Sequence, residues 1–194
     1  VNNDQSGSTT TATGATDGLR GLTEYPTSTS AAAFGTSGTA ITNGLHTVLT
    51  VEASVTTPTY DSIANIASAL PAQYWTMPTT AWHIHPTLIA SLRKLKSSTG
   101  GSPMFIEAGN EEGAAVGYMF GFPVIPNPYL AAPAVGAIPL VLANWDRFIT
   151  IVDGEEMTIQ RFDQTLPGTV VIYAEKRMAS SIRDPFAGVF LKGV

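Results

Sequence analysis

The sequence predicts helices packed on a β-sheet, and three observations carry that expectation. A strand-like run, Ala81-Trp82-His83-Ile84-His85, leads directly into a helical pattern that opens at Pro86; strand–helix succession of this kind lays helices against a sheet. The stretch Gly113–Trp145 contains no charged residue and is cut by five prolines. Asp153-Gly154, a dipeptide favoured in tight turns, stands between two runs of strand character.

Composition sets the outer limits. The chain has 194 residues, enough for one sizeable core or two small domains. Hydrophobic residues make up 44% and charged residues only 13%, about half the usual charged share. So few charges protect a monomer poorly, which favours an assembled protein whose surface is covered by neighbours. A net charge of -5 offers no basic footprint for sequence-specific nucleic-acid binding. With no cysteine there is no disulfide framework and no thiolate chemistry. Residues 1–20 lack the basic start and apolar core of a signal peptide. The chain begins at Val1 rather than Met, which reads as a fragment or a processed product.

Residues 1–16 are Ser-, Thr- and Gly-rich and read as a flexible segment. Asp17–Leu22 is a turn-rich connector, and Thr39–Thr42 and Thr47–Val51 carry enough β-branched residues for short strands. Thr59–Leu70 predicts a helix: Ile63, Ile66, Ala67 and Leu70 share one face, Thr59 caps it and Pro71 stops it. The helix Pro86–Lys96 buries Leu88, Ile89, Leu92 and Leu95, with Arg93, Lys94 and Lys96 at its negative end.

Gly113–Trp145 is long enough for a membrane span, but its prolines would break helix hydrogen bonds that lipid cannot replace. It reads instead as two buried strands, around 116–125 and 138–145, joined by a rigid loop at 126–137. A charge-free loop is unusual on a surface that meets water. It is either covered or meets copies of itself. Beyond it, Phe148–Val152 and Met157–Phe162 flank Asp153-Gly154 as a predicted hairpin, and Thr169–Lys176 is a further strand. The chain closes on the apolar run Ala187–Leu191.

Candidate chemistry is sparse. His83 and His85, two apart on a strand, would project from one face as in some zinc sites, and a metal-dependent hydrolase is the alternative function they support. His46, Glu107, Glu111 and Glu112 are the other ligands in principle. The plainer reading has His85 capping the helix at Pro86 and His83 on a half-exposed strand. Asp153-Gly154-Glu155-Glu156 and Asn110-Glu111-Glu112-Gly113 lack the alternating oxygen ligands of a calcium loop and read as turns. No GxSxG elbow, P-loop or GxGxxG fingerprint is present. The sequence therefore assigns no catalytic residue, metal or cofactor. A sugar- or cell-binding module would rest only on the Ser/Thr-rich start.

From Ala81 onward the order of motifs resembles the major capsid proteins of tailed bacteriophages with the HK97-type fold. The residues that carry the resemblance are Trp82 and Pro86, Leu92-Arg93-Lys94-Leu95-Lys96, the turn Ser97-Ser98-Thr99-Gly100-Gly101-Ser102-Pro103, and Gly121-Phe122-Pro123-Val124. Asn144-Trp145-Asp146-Arg147-Phe148, Ala174-Glu175-Lys176-Arg177-Met178 and Ala187-Gly188-Val189-Phe190-Leu191 follow in the family's order. Ser97 departs from it, standing where aspartate is frequent. The match covers about residues 59–194. The family's N-terminal arm, extended loop and spine helix would precede this segment, so the chain looks like the C-terminal portion of such a protein.

The resemblance implies an α+β fold: a mixed sheet with packed helices in an axial domain, interleaved with a smaller elongated β-rich peripheral domain. Residues 17–57 and 155–182 would be peripheral, 58–154 axial, and 183–194 the final axial strand. It further implies a non-enzymatic subunit that forms pentamers and hexamers of an icosahedral phage or prophage capsid in the virion, assembled in the host cytoplasm. Its partners would be copies of itself, a scaffold and a maturation protease, and packaged DNA held non-specifically, with no membrane. Around a capsomer axis any charge in the loop 126–137 would face its own copies. Asn127, Tyr129, Leu130 and Pro133 are neutral, which makes them the expected subunit contacts at that axis.

Overall fold

The computed structural model describes residues 21–29, 41–42, 45–55, 58–96, 101, 105–107, 116–154, 156–162 and 170–194. The expected flexible segment 1–16, most of the 17–22 connector, the turn after Lys96 and the acidic cluster 110–113 lie outside the described residues. In chain order the elements are β1 (Thr27–Ser28), β2 (Ile41–Thr42), β3 (Leu45–His46), β4 (Val48–Ala53), α1 (Tyr60–Ala69), β5 (Thr80–Ile84) and α2 (Pro86–Leu92). Then follow β6 (Phe105–Glu107), β7 (Gly117–Met119), β8 (Phe122–Pro126), β9 (Leu140–Asn144), the one-turn α3 (Trp145–Phe148) and β10 (Ile149–Asp153). β11 (Thr158–Phe162), β12 (Val171–Glu175), β13 (Met178–Ile182) and β14 (Gly188–Gly193) complete the chain.

Eight strands form one mixed sheet in the order β1-β4-β14-β9-β5-β8-β7-β6. β1, β4 and β14 run parallel, as do β5 and β8, while β9 is antiparallel to both its neighbours. The fold is α+β. β9 reads Leu-Val-Leu-Ala-Asn and all five positions are buried; a central strand covered on both faces loses the polar alternation of a half-exposed one. Helix α1 packs its Ile63, Ile66 and Ala67 over β4 and β14. Its first turn is closed by a capping box, with the Thr59 hydroxyl accepting from the Ser62 amide at 3.2 Å and the Ser62 hydroxyl accepting from the Thr59 amide at 3.1 Å. Trp82 is fully buried and donates its indole N–H to the Met119 carbonyl at 2.8 Å, which ties β5 to β7 across β8.

Four sequence expectations change. The strand expected around 116–125 is a hairpin, β7–β8, turned at Phe120 and Gly121 with φ of +50° and +82°; two left-handed residues in a row are what a tight hairpin turn uses. Helix α2 stops at Leu92 rather than Lys96, because the amides of Lys94 and Leu95 bond back three residues, to Ser91 and Leu92. The strand expected through Trp145 ends at Asn144, whose side chain caps α3.

The fourth change is the largest. Asp153-Gly154 does not close a hairpin between β10 and β11. β10 pairs with β13 and β11 with β12, so the chain runs out and back as one long antiparallel ribbon. The register Asp153↔Met178 becomes Thr158↔Glu175, leaving extra residues on the outgoing strand. Gly154 donates its amide to the Arg177 carbonyl at 2.9 Å. The Asp-Gly pair therefore starts a bulge, not a turn. β4 thus lies in the eight-stranded sheet, and β10 pairs in the ribbon.

The strand that returns from the ribbon needs glycine at two points of close approach. A Cβ on Gly188 would lie 2.6 Å from the Phe148 ring, and one on Gly193 would lie 2.2 Å from the Ala134 carbonyl oxygen. Phe148 in turn meets Phe190 edge-on at 6.0 Å, so its ring cannot retreat without opening the core. Gly188→Ala should lower unfolding free energy by about 1–3 kcal/mol, read from urea midpoints. Gly154→Ala, whose new Cβ would lie an ordinary 3.6 Å from the Arg177 carbonyl, should change it little.

Candidate functional site

The charge-free loop leaves β8 at Pro126 and enters β9 at Leu140, and hydrogen bonds hold it at both ends. The Asn127 amide donates to the Ile84 carbonyl at the end of β5 at 2.9 Å. The Asn127 side chain accepts from the Tyr129 amide at 3.0 Å, and the Leu130 amide reaches the Asn127 carbonyl, closing a turn with Pro128 second. Asn first and Pro second are favoured for this turn, because the side chain mimics backbone and the ring pre-sets φ. A second turn spans Ala134 to Ala137, with Gly136 at φ +80°. The Gly136 amide donates to the Gly193 carbonyl at 2.8 Å, and the Gly193 amide to the Ala137 carbonyl at 2.9 Å. The loop is thus fixed to β5 and β14, although almost no strand pairing is involved.

The predicted contact residues divide. Tyr129 is 64% exposed, Asn127 and Pro133 are half-buried, and Leu130 is 6% exposed and belongs to the core. Leu130 holds the loop down from within instead of facing outward. Val135, 83% exposed at the tip of the second turn, was not among the expected residues. Its signal is the following Gly136, which places the preceding side chain at a turn crest. Tyr129 and Val135 are therefore the prominent apolar groups of an uncharged surface.

Beneath the loop lies His83 on β5. Its ring centroid is 4.0 Å from that of Trp145, and its Nδ1 is 3.4 Å from the Asn127 side-chain nitrogen. Burial holds its pKa down to about 4. His85 does not share that strand. It follows the end of β5 and caps α2, its Nδ1 accepting from the Thr87 amide at 3.3 Å and lying 2.7 Å from the Thr87 hydroxyl. The two histidines thus have separate partners, Asn127 and Trp145 for His83 and Thr87 for His85. His46 sits on β3, and Glu111 and Glu112 lie outside the described residues. Among the described residues no group of three or more His, Asp or Glu could hold a metal ion, and no helix is long and apolar enough to cross a membrane.

The His83 shift has a pH consequence. The folded chain keeps the ring neutral down to about pH 4, whereas the unfolded ring takes a proton near its ordinary 6.5. Stability supplied by the neutral ring is present above pH 6.5 and lost as pH falls towards 4. Partial solvation limits the effect to about 1–2 kcal/mol. Urea midpoints measured from pH 7.5 to 4 should fall less steeply for His83→Gln than for the wild type.

Comparison with known proteins bears on this arrangement. The phage capsid family model matches residues 5–193. Among curated proteins no sequence match is found. The capsid of an empty GTA particle, solved with C5 symmetry, is similar in fold with a TM-score of 0.65 at 17% identity, over 92% of this chain and 57% of that one. The capsid of a native GTA particle gives 0.60 at 19% identity, over 76% and 50%. An encapsulin complex from Synechococcus elongatus gives 0.50 at 14% identity, over 75% and 52%. The chain spans about half the length of these structures. With a family model covering nearly every residue, the chain belongs to the phage capsid family.

Proposed function

We propose that this chain is the shell-forming portion of a capsid subunit and acts through repeated contacts with its own copies, without catalysis. Membership of the capsid family supports the reading. The observation that carries it is the loop 127–139: uncharged, anchored to β5 and β14, and presenting Tyr129 and Val135 to the outside. An isolated monomer gains nothing from holding such a surface in water. Around a rotation axis it has a use, since neutral side chains from several copies converge without repulsion and the anchored backbone has little entropy left to lose.

In this proposal the sheet with its helices forms the axial part of the subunit and the ribbon beyond β10 the peripheral part. Pentamers and hexamers close into an icosahedral shell around DNA, assembled in the host cytoplasm with a scaffold and a maturation protease. A subunit of net charge -5 suits a container that holds nucleic acid without neutralising its phosphates, because such contacts dominate affinity and would hinder release. Electron microscopy and sedimentation of protein from the complete reading frame should show capsomers or closed shells. Monomers alone, across varied salt, pH and crowding, would overturn the proposal.

Two substitutions separate folding from assembly. Leu130→Asp places a charge in the core and should cost about 2–5 kcal/mol of folding stability. Tyr129→Asp should leave the urea midpoint within about 0.5 kcal/mol of wild type yet abolish capsomers. If Tyr129→Asp assembles normally, the loop does not lie at the axis.

A further inference from the structure

Asn127 holds the charge-free loop in two directions, and the two demands fix which way its side-chain amide points. Its oxygen accepts from the Tyr129 amide at 3.0 Å, which leaves its NH2 group facing Nδ1 of His83 at 3.4 Å. An NH2 group only donates, so Nδ1 is the bare nitrogen of the ring and Nε2 carries the hydrogen. That arrangement lasts only while His83 is neutral. A proton on Nδ1 sets a donor against a donor. Asn127 has one side-chain oxygen to answer with. Turned towards the charged ring, it abandons the Tyr129 amide.

Among the described residues, the surroundings of His83 supply no carboxylate to take over that role. Ile125 of β8 and Val141 of β9 stand opposite it on the two neighbouring strands, and Trp145 of α3 covers it with ring centroids 4.0 Å apart. None of these titrates, and neither does Asn127. His85, the next titratable side chain along the chain, is turned to Thr87. Asp146 and Arg147, which follow Trp145 on α3, are exposed to water. The indole gives a cation a ring face to rest on. A protonated His83 therefore stays against Trp145, and Asn127 is the group that moves.

We infer that His83 is a proton-driven switch for the loop: a proton on its ring turns Asn127 away from Tyr129 and releases Tyr129, while Leu130 stays seated in the core. Burial, with a smaller push from the positive amino terminus, holds the ring neutral down to about 4, so the loop is set at neutral pH and the switch works in acid. The movement is local because the rest of the loop has other anchors. The Asn127 backbone amide stays on the Ile84 carbonyl, and Gly136 and Ala137 stay bonded to Gly193. Tyr129 is the side chain offered to neighbouring copies, so the effect on assembly rests on the shell reading above. The switch itself does not.

Magnetic resonance of the isotopically labelled chain, titrated from neutral pH into acid, tests the switch. The His83 ring, the Asn127 side-chain amide and the Tyr129 backbone amide should titrate with one midpoint near 4, while the Gly136 amide on Gly193 stays in place. His83→Gln should abolish the Tyr129 titration. Asn127→Asp should move the His83 midpoint up by about 1–2 pH units, because a carboxylate then faces the ring. A His83 titration that leaves Tyr129 still, or a Tyr129 shift that survives His83→Gln, overturns the inference. So does a Gly136 shift at the same midpoint, which means general unfolding. In protein from the complete reading frame, capsomer association should weaken at least about tenfold through that midpoint, and less in His83→Gln. If Tyr129 is released but association is unchanged, the switch has no bearing on assembly and the loop does not lie at the axis. If Tyr129 never moves, the switch fails and the shell reading stands.

Discussion

Satisfying the buried side chain of Asn144 is the constraint from which the rest of the arrangement follows. Fully buried at the end of the central strand, its amide donates to the Thr79 hydroxyl at 2.9 Å and the Thr80 hydroxyl at 3.0 Å, and its oxygen accepts from the Arg147 amide at 3.2 Å. A buried amide left without these partners would cost a few kcal/mol. Meeting all of them ends β9, starts α3 and turns the chain out of the sheet into the ribbon. The Thr80 hydroxyl passes the network on to the Tyr74 carbonyl. The Tyr74 hydroxyl donates to Asp184, the residue that caps the short turn before β14, and burial together with that bond raises the phenol to about 12. The ribbon's departure and return are thereby tied to one buried polar cluster.

Elements set by local chemistry were legible in the sequence. α1 follows from the spacing of Ile63, Ile66 and Ala67 and from the Thr59 cap, and β9 from an unbroken apolar run. Elements set by distant pairing were not. Asp153-Gly154 is compatible with a turn and with a bulge, and only Arg177, more than twenty residues on, decides which. Asn144 has the residue type of a helix cap, but its partners Thr79 and Thr80 lie far back in the chain. The capsid resemblance was legible because it depends on motif order, which needs no contact map.

The loop shows the same division at the level of single residues. Its lack of charge and its prolines were visible in the sequence. Which of its apolar residues face outward was not, because Tyr129 and Leu130 are adjacent and equally apolar. The turn closed by Asn127 sends one out and the other in. Low charge across the whole chain fits the proposed assembly, in which each added charge would also be added to the neighbour.

The register of β9 places the loop and the ribbon at opposite ends of one strand. Leu140 pairs with Ile84 beside the loop, and Asn144 pairs with Thr80 where the chain departs for the ribbon. Five buried residues, all paired with β5 and all but Asn144 also with β14, form a stiff bar about 17 Å long. A rigid bar converts rotation at one end into translation at the other. Tilting the subunit by about 10° about its loop would carry the root of the ribbon sideways by about 3 Å over that length. In the proposed shell, a small tilt at the loop would thus become a larger displacement at the root of the ribbon.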